Sequence, residues 1–351
     1  MMLSSCGRGQ KSSPAETAQE SSLRKGVILV DYRDQNRVDV YIDGDLFTSY
    51  IYPEDLEKPV LYPVRTAEGT IVTRGYPLKP KAGERVDHPH QVGVWFTYGD
   101  VNGFDFWNNS SAIPEDEKMN YGRVLHRGVK RAESREGLGV LEIAADWQVP
   151  ADEGEWHTLL QENTVFEFSG DEKTRTIDRI TRLTAQDIEV ELGDNKEGLF
   201  AIRVARELEH PTNKSYPVSD AQGNAVMVEK PDNKGVNGHY LNSEGDEGTD
   251  AWGRPARWVR LSSSIGDEKI CLVLFDHPGN IGFPSYWHTR DYGLISINNL
   301  SARDYDESAE PRLLSLTPGE SIVFRHRLYI ISGSVPSPEQ IETIFGNFAS
   351  R

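Results

Sequence analysis

"SIVFRHRLYIISGSVPSPEQIETIFGNFA", residues 321–349, sets a strand run beside the one confident helix of the chain. The first twelve residues are rich in Ile, Val, Phe and Tyr and stop at a glycine, as a strand does. The rest changes period. Ser337 is placed to cap a helix, Pro338 suits its first position and Glu339 its first turn. Ile341, Ile344 and Phe345 then fall on one stripe. Upstream, the strand signature recurs without any second helix of this quality. "GVILVDY", "RVDVYID", "GTIVTRG", "GVWFTYG", "GVLEIAADW", "NTVFEFS", "RTIDRITRLTA", "GLFAIRVA", "ARWVRLSS", "KICLVLFD" and "YGLISIN" are short apolar or alternating runs, most bounded by Gly, Pro, Asp or Asn. Many strands and one late helix imply an all-β sandwich rather than alternating βαβ units. In "RTIDRITRL", Ile177, Ile180 and Leu183 break a strict period of two, which predicts a bulge or a strand shared between two sheets.

The 351 residues carry a net charge of −17, with no cluster of Lys and Arg, which argues against a nucleic-acid surface. Two cysteines, Cys6 and Cys271, do not make a disulfide scaffold. "LSSC", Leu3 to Cys6, matches the end of a bacterial lipoprotein signal, followed by a small polar tether. Residues 1–24 are expected to be a disordered tether with a lipid anchor at Cys6, which implies a periplasmic or outer-surface location. Residues 25–351 are expected to form a single sandwich domain, with 207–255 as a loop-rich insertion near the site.

Two stretches carry the chemistry. "DHPHQVGVWFTYGDVNGFDFWN" (87–108) holds two histidines two apart, and "FDHPGNIGFPSYWHTRDYG" (275–293) repeats the same residue types 180 positions later. On a strand, His88 and His90 would face the same way and could serve one substrate or, as the weaker alternative, one divalent metal. Asp100 and Asn102 lie in a turn segment. Trp95, Phe96, Tyr98, Phe104, Phe106 and Trp107 are too many aromatics for a core shared with so many polar groups, which suggests a sugar-binding wall. The second stretch reads as a polar loop after a buried strand. The two are expected to meet in one cleft. His88, His90 or His288 would act as acid or base, oriented by Asp105 or Asp100, with Arg290 stabilising negative charge. Trp107 and Trp287 would stack on a sugar ring, and Asp100, Asn102 and His277 would bind its hydroxyls.

These two stretches, with "YPVRTAEGTIVTRGYP" (62–77), resemble the bacterial PmoA-like family labelled "methane oxygenase PmoA". They are also loosely similar to the galactose-mutarotase-like sugar enzymes. The resemblance implies a large two-sheet antiparallel supersandwich. It also implies an exported carbohydrate-active enzyme that works by His/carboxylate chemistry through epimerisation, elimination or glycoside cleavage, on a sugar or oligosaccharide. A non-catalytic carbohydrate-binding protein is the alternative, and a metal-dependent oxygenase the third reading.

Overall fold

Residues 26–351 are described by a computed structural model. The tether and the Cys6 anchor expected from the sequence lie outside the described residues. In chain order the strands begin with β1 (Val27–Tyr32), β2 (Arg37–Ile42), β3 (Asp45–Ile51), β4 (Val60–Leu61), β5 (Val94–Tyr98), β6 (Arg123–Arg135) and β7 (Leu138–Pro150). There follow β8 (Trp156–Gly170), β9 (Thr174–Ala185), β10 (Val190–Leu192), β11 (Gly198–Arg203), β12 (Tyr216–Ser219), β13 (Ala225–Val228) and β14 (His239–Asn242). The last are β15 (Trp258–Ile265), β16 (Glu268–Asp276), β17 (Tyr286–Arg290), β18 (Leu294–Asn298), β19 (Leu314–Leu316) and β20 (Ser321–Ser332), before the helix α1 (Pro338–Ala349).

Two eight-stranded antiparallel sheets result. The first runs β1-β2-β3-β4-β5-β11-β18-β17 and the second β14-β15-β16-β20-β9-β8-β7-β6. Alternation gives each strand an inner and an outer face. Val38, Phe96, Phe200 and Ile295 of the first sheet share one core with Leu141, Phe166, Leu272 and Leu328 of the second. The architecture is thus the large two-sheet sandwich with a C-terminal helix. The helix starts where expected, with Ser337 and Gln340 forming a reciprocal capping box, which satisfies two otherwise orphaned N–H groups. Ile341 and Phe348 pack it against Trp258 and Phe275 on the outer face of the second sheet. Among the described residues, no helix is long and apolar enough to cross a membrane.

Three expectations need correction. β9 pairs with both neighbours without a register shift, so it carries no bulge. The period looked broken because Arg179 occupies an inward position. It is buried and paired with Glu162 at 2.5 Å, beneath the faces of Phe96 and Phe166. The aromatics of the 95–107 region are core after all. Phe96, Tyr98 and Phe106 lie between the sheets, while Trp95 and Trp107 form a separate apolar cluster on the outer face of the first sheet. "GTIVTRG" makes only isolated bridges, at Ile71 and Thr73. The 207–255 segment holds a small hairpin, β12–β13, and the edge strand β14.

β6 forms the other edge of the second sheet and has two register shifts, at His126/Gly128 and Val129/Arg131. Its Ser134 Oγ accepts from Leu29 N of β1, so the first sheet's edge strand lies against it.

Candidate functional site

The register of the first sheet builds the site. His288 lies opposite Ser296, Ser296 opposite Ala201, and Ala201 opposite Trp95. One step along, Arg290 lies opposite Leu294 and Leu294 opposite Arg203. Their neighbours Trp287, Ile295, Ile297, Phe200 and Ile202 face the core, so this row of polar side chains points to the outer face. The reading of 275–293 as an irregular loop therefore holds only to Ser285. Beyond it, β17 is a regular strand that fixes His288 and Arg290 on one side.

His288 is fully buried. Its Nε2 accepts a hydrogen bond from Arg290 Nε at 2.8 Å, which leaves the ring proton on Nδ1. That atom faces Glu197 Oε2 at 3.5 Å and has no hydrogen-bond partner of good geometry. Burial, with Arg290 and Lys196 alongside, lowers the His288 pKa to about 3, so the ring is neutral. Burial raises Glu197 to about 7, against the pull of Lys196 and Arg290. A carboxyl that titrates near neutrality can give or take a proton at physiological pH. Arg290 lies 5.4 Å from the centre of the half-buried Trp252 ring, and Tyr305 meets His288 edge-on.

The 85–91 segment is clamped beside this group. Arg74 donates to the carbonyls of Asp87, His88 and Gln91 and to Asp87 Oδ1. Arg203 donates to Asp87 Oδ1 at 2.6 Å and to Gln91 Oε1 at 2.5 Å. Burial pushes the Asp87 carboxyl up, but Arg203, His88 and Arg74 together hold it well below the usual carboxylate range. The clamp keeps His88 in the left-handed region, at φ 44, a conformation that tertiary contacts must impose on a non-glycine residue. The His88 ring, 39% exposed, stacks on Tyr292 at 4.8 Å, and Arg203 lies over the same tyrosine at 4.5 Å. The two sequence stretches meet at this His88–Tyr292 stack.

Other expected site residues have different tasks. His88 and His90 lie in a turn, not a strand, with rings 5.7 Å apart and nearly perpendicular. Among the described residues no group of three His, Cys, Asp or Glu side chains could hold a metal, and this pair does not fit one. Both oxygens of Asp105 are used locally, by Trp107 N, Asn108 N and Asn108 Nδ2, so Asp105 orients no histidine. Asp100 Oδ1 accepts from Gly103 N and Asn102 bonds the backbone of Glu189 and Glu191; both hold the turn. Trp107 and Trp287 are wholly buried, the latter with its Nε1 on Ala256 O, and neither presents a face to a ligand. His277 sits at the end of β16 in the second sheet, beside Phe348 and Arg325 in a separate cleft.

The sequence reading missed Glu197, Asp87, Arg74, Arg203 and Tyr292. Arg203 had a signal: a single charge in the apolar run "GLFAIRVA" must find a partner when buried. Glu197 had none, because "GDNKEG" has the composition of any polar turn.

A family model for a family of unknown function, DUF6807, matches residues 37–346. The methane-oxygenase label that the motifs bring with them is not carried by this match. No curated protein matches the sequence. Among solved structures, the chain is similar to GH36 alpha-galactosidase AgaA from Geobacillus stearothermophilus in complex with raffinose. The identity is 10% and the TM-score 0.38, over 88% of this chain and 40% of that one. Heparan sulfate lyase HepC from Pedobacter heparinus, as a mutant, has 9% identity and a TM-score of 0.37, over 88% and 37% of the two chains. A putative aldose 1-epimerase from Escherichia coli K12 has 10% identity and a TM-score of 0.23, over 87% and 98%. The chain thus spans about 40% of the length of the first of these structures.

Proposed function

We propose a function for this chain, which belongs to the family of unknown function DUF6807: it is a carbohydrate-active enzyme in which Glu197 moves a proton at a bound sugar. The observation that carries this reading is the Glu197–His288–Arg290 line on the outer face of the first sheet, with Glu197 near neutrality. His288, neutral and with its ring proton on Nδ1, faces the carboxyl at 3.5 Å, and Arg290 sets the His288 tautomer. Arg290 also offers positive charge to an oxygen that becomes negative in the reaction. The partly exposed rings of His88, Tyr292 and Trp252 give a sugar apolar faces to lie on. The acid–base role thus passes from the histidines to Glu197.

A single tuned carboxyl suits epimerisation or elimination. Glycoside cleavage needs two carboxyl groups set across one bond, and the nearby Asp105 and Asp304 accept bonds from the backbone. A non-catalytic sugar binder would need an open aromatic platform, a role for which the buried Trp107 and Trp287 are unavailable. An exported, lipid-anchored form, supported by Leu3 to Cys6, is part of the proposal.

The test is proton exchange from a panel of reducing sugars and acidic glycosides in deuterated water, followed by NMR. Wild type should exchange or eliminate on at least one substrate, with activity rising through pH 7 if Glu197 serves as base. Glu197→Gln should lose on the order of 10²–10⁴-fold. Full activity in that variant would sink the reading.

A further inference from the structure

Lys58 is 4% exposed, yet no carboxylate among the described residues pairs with it. Its Nζ makes one hydrogen bond, to the carbonyl of Trp107 at 3.0 Å, which leaves two N–H groups free. Asp105 and Glu57 are near enough to favour its charge but neither pairs with it, so the buried ammonium keeps N–H groups that can take an anion's oxygens. A second observation points the same way. His90, 8% exposed, lines the same cleft, and its Nε2 is buried without a partner. Burial and the nearby Lys58 charge keep its pKa far below the ordinary value, so the ring is neutral and adds no second cation; its Nε2 donates in the tautomer that carries the proton there. Ser110, also in the wall, only accepts, from Ala112 N, and its hydroxyl proton is free.

Lys58, His90 and Ser110 thus line one cleft of about 260 Å³ between the segments 55–60, 77–92 and 109–111. Two acidic residues, the exposed Asp55 and the half-buried Glu57, stand in its lining. They repel a dianion more than a singly charged group. The volume is below that of a drug-sized site and suits a substituent or a very small molecule.

We infer that the Lys58–His90–Ser110 cleft is a recognition site for a carboxylate group, as borne by an acidic sugar or a small organic acid. The proposal does not rest on the acid–base reading of Glu197, and Glu197→Gln should retain carboxylate binding. The test is calorimetric titration of the whole protein with acetate, D-glucuronate, D-glucose and inorganic phosphate. Acetate and D-glucuronate should bind saturably and D-glucose should not. A D-glucuronate affinity well above that of acetate would identify the acidic sugar as the source of the group; equal affinities would identify a small acid. Lys58→Met should weaken binding about tenfold or more, the worth of a charge-assisted hydrogen bond. That variant should melt no lower than wild type, since it removes an unpaired buried charge. Ser110→Ala, a milder change, should weaken binding a few-fold. Unchanged acetate affinity in Lys58→Met, equal binding of D-glucose and D-glucuronate, or tighter binding of phosphate than acetate would each overturn the assignment.

Discussion

At the scale of single residues, the polar groups inside the sandwich show what burial does to titration. His326 is buried in the core, stacked flat on Phe200 at 5.4 Å, with Nε2 on Asn299 Oδ1 at 2.9 Å. Burial lowers its pKa to about 3, whereas the unfolded chain has the ordinary value near 6.5. Between these values the unfolded state binds a proton that the folded state refuses, so this residue's contribution to stability falls as pH drops from 6.5 toward 3. His326→Phe should be less stable than wild type at pH 7 by about 1–2 kcal/mol, because Asn299 loses its donor. The gap should narrow as the pH falls toward 5, since only wild type incurs the imidazole penalty. Melting curves of the pair across that range check it, and a gap that widens in acid contradicts it. Glu197 titrates the opposite way and shows where the sequence was silent. A glutamate in a Gly/Asp/Asn turn has no periodicity to betray burial, and it is burial in the folded sheet, against the pull of Lys196 and Arg290, that raises its pKa. The histidines stood out as candidates because imidazoles among glycines and aromatics are conspicuous; their environments in the fold did not.

At the scale of elements, β9 explains most of the difference between pattern and structure. Its inward positions Ile177, Arg179, Thr181 and Leu183 keep the period of two, but two of the four are polar. Arg179 and Glu162 form an enclosed unit, with Trp147 Nε1 and Thr164 Oγ1 also donating to Glu162. Removing one partner of a buried pair leaves a bare charge, whereas removing both charges does not. Arg179→Met should cost about 3–5 kcal/mol. The double variant Arg179→Met/Glu162→Gln, which keeps an acceptor for Trp147, should recover most of it. Urea midpoints measure both, and a double variant as unstable as the single would show that the charge is not the cause. The same rule governs the tryptophans: an indole is expected at the surface when polar neighbours crowd it in sequence, but alternation sends those neighbours to different layers. Strand existence and the C-terminal helix were readable from apolar period and capping residues. Which face of each strand was the solvent side depended on pairings 100 or more residues apart.

At the scale of the whole molecule, neither sheet is continuous in the chain. The first takes strands from 27–98, 198–203 and 286–298, and the second from 123–185, 239–276 and 321–332. Their inner faces form one hydrophobic cluster, so neither can be completed while the other is absent. Thermal unfolding should therefore give coincident transitions by far-UV circular dichroism and by tryptophan fluorescence. Two separated transitions would indicate independent units. Interleaving also means that the pairings joining the segments, β5–β11, β11–β18, β16–β20 and β9–β20, close long loops, which slows folding and leaves half-built sheets exposed on the way. The long edge strand β6 is where such a surface would persist in the native state. Its thirteen residues have no strand paired on one side, where β1 covers only part of the border and the rest could template another chain. The two register shifts bend that template, and Arg127, Lys130, Arg131, Glu133 and Arg135 line it with charge. A second copy cannot lay a straight strand along it, which is the route by which a border of this length seeds aggregation.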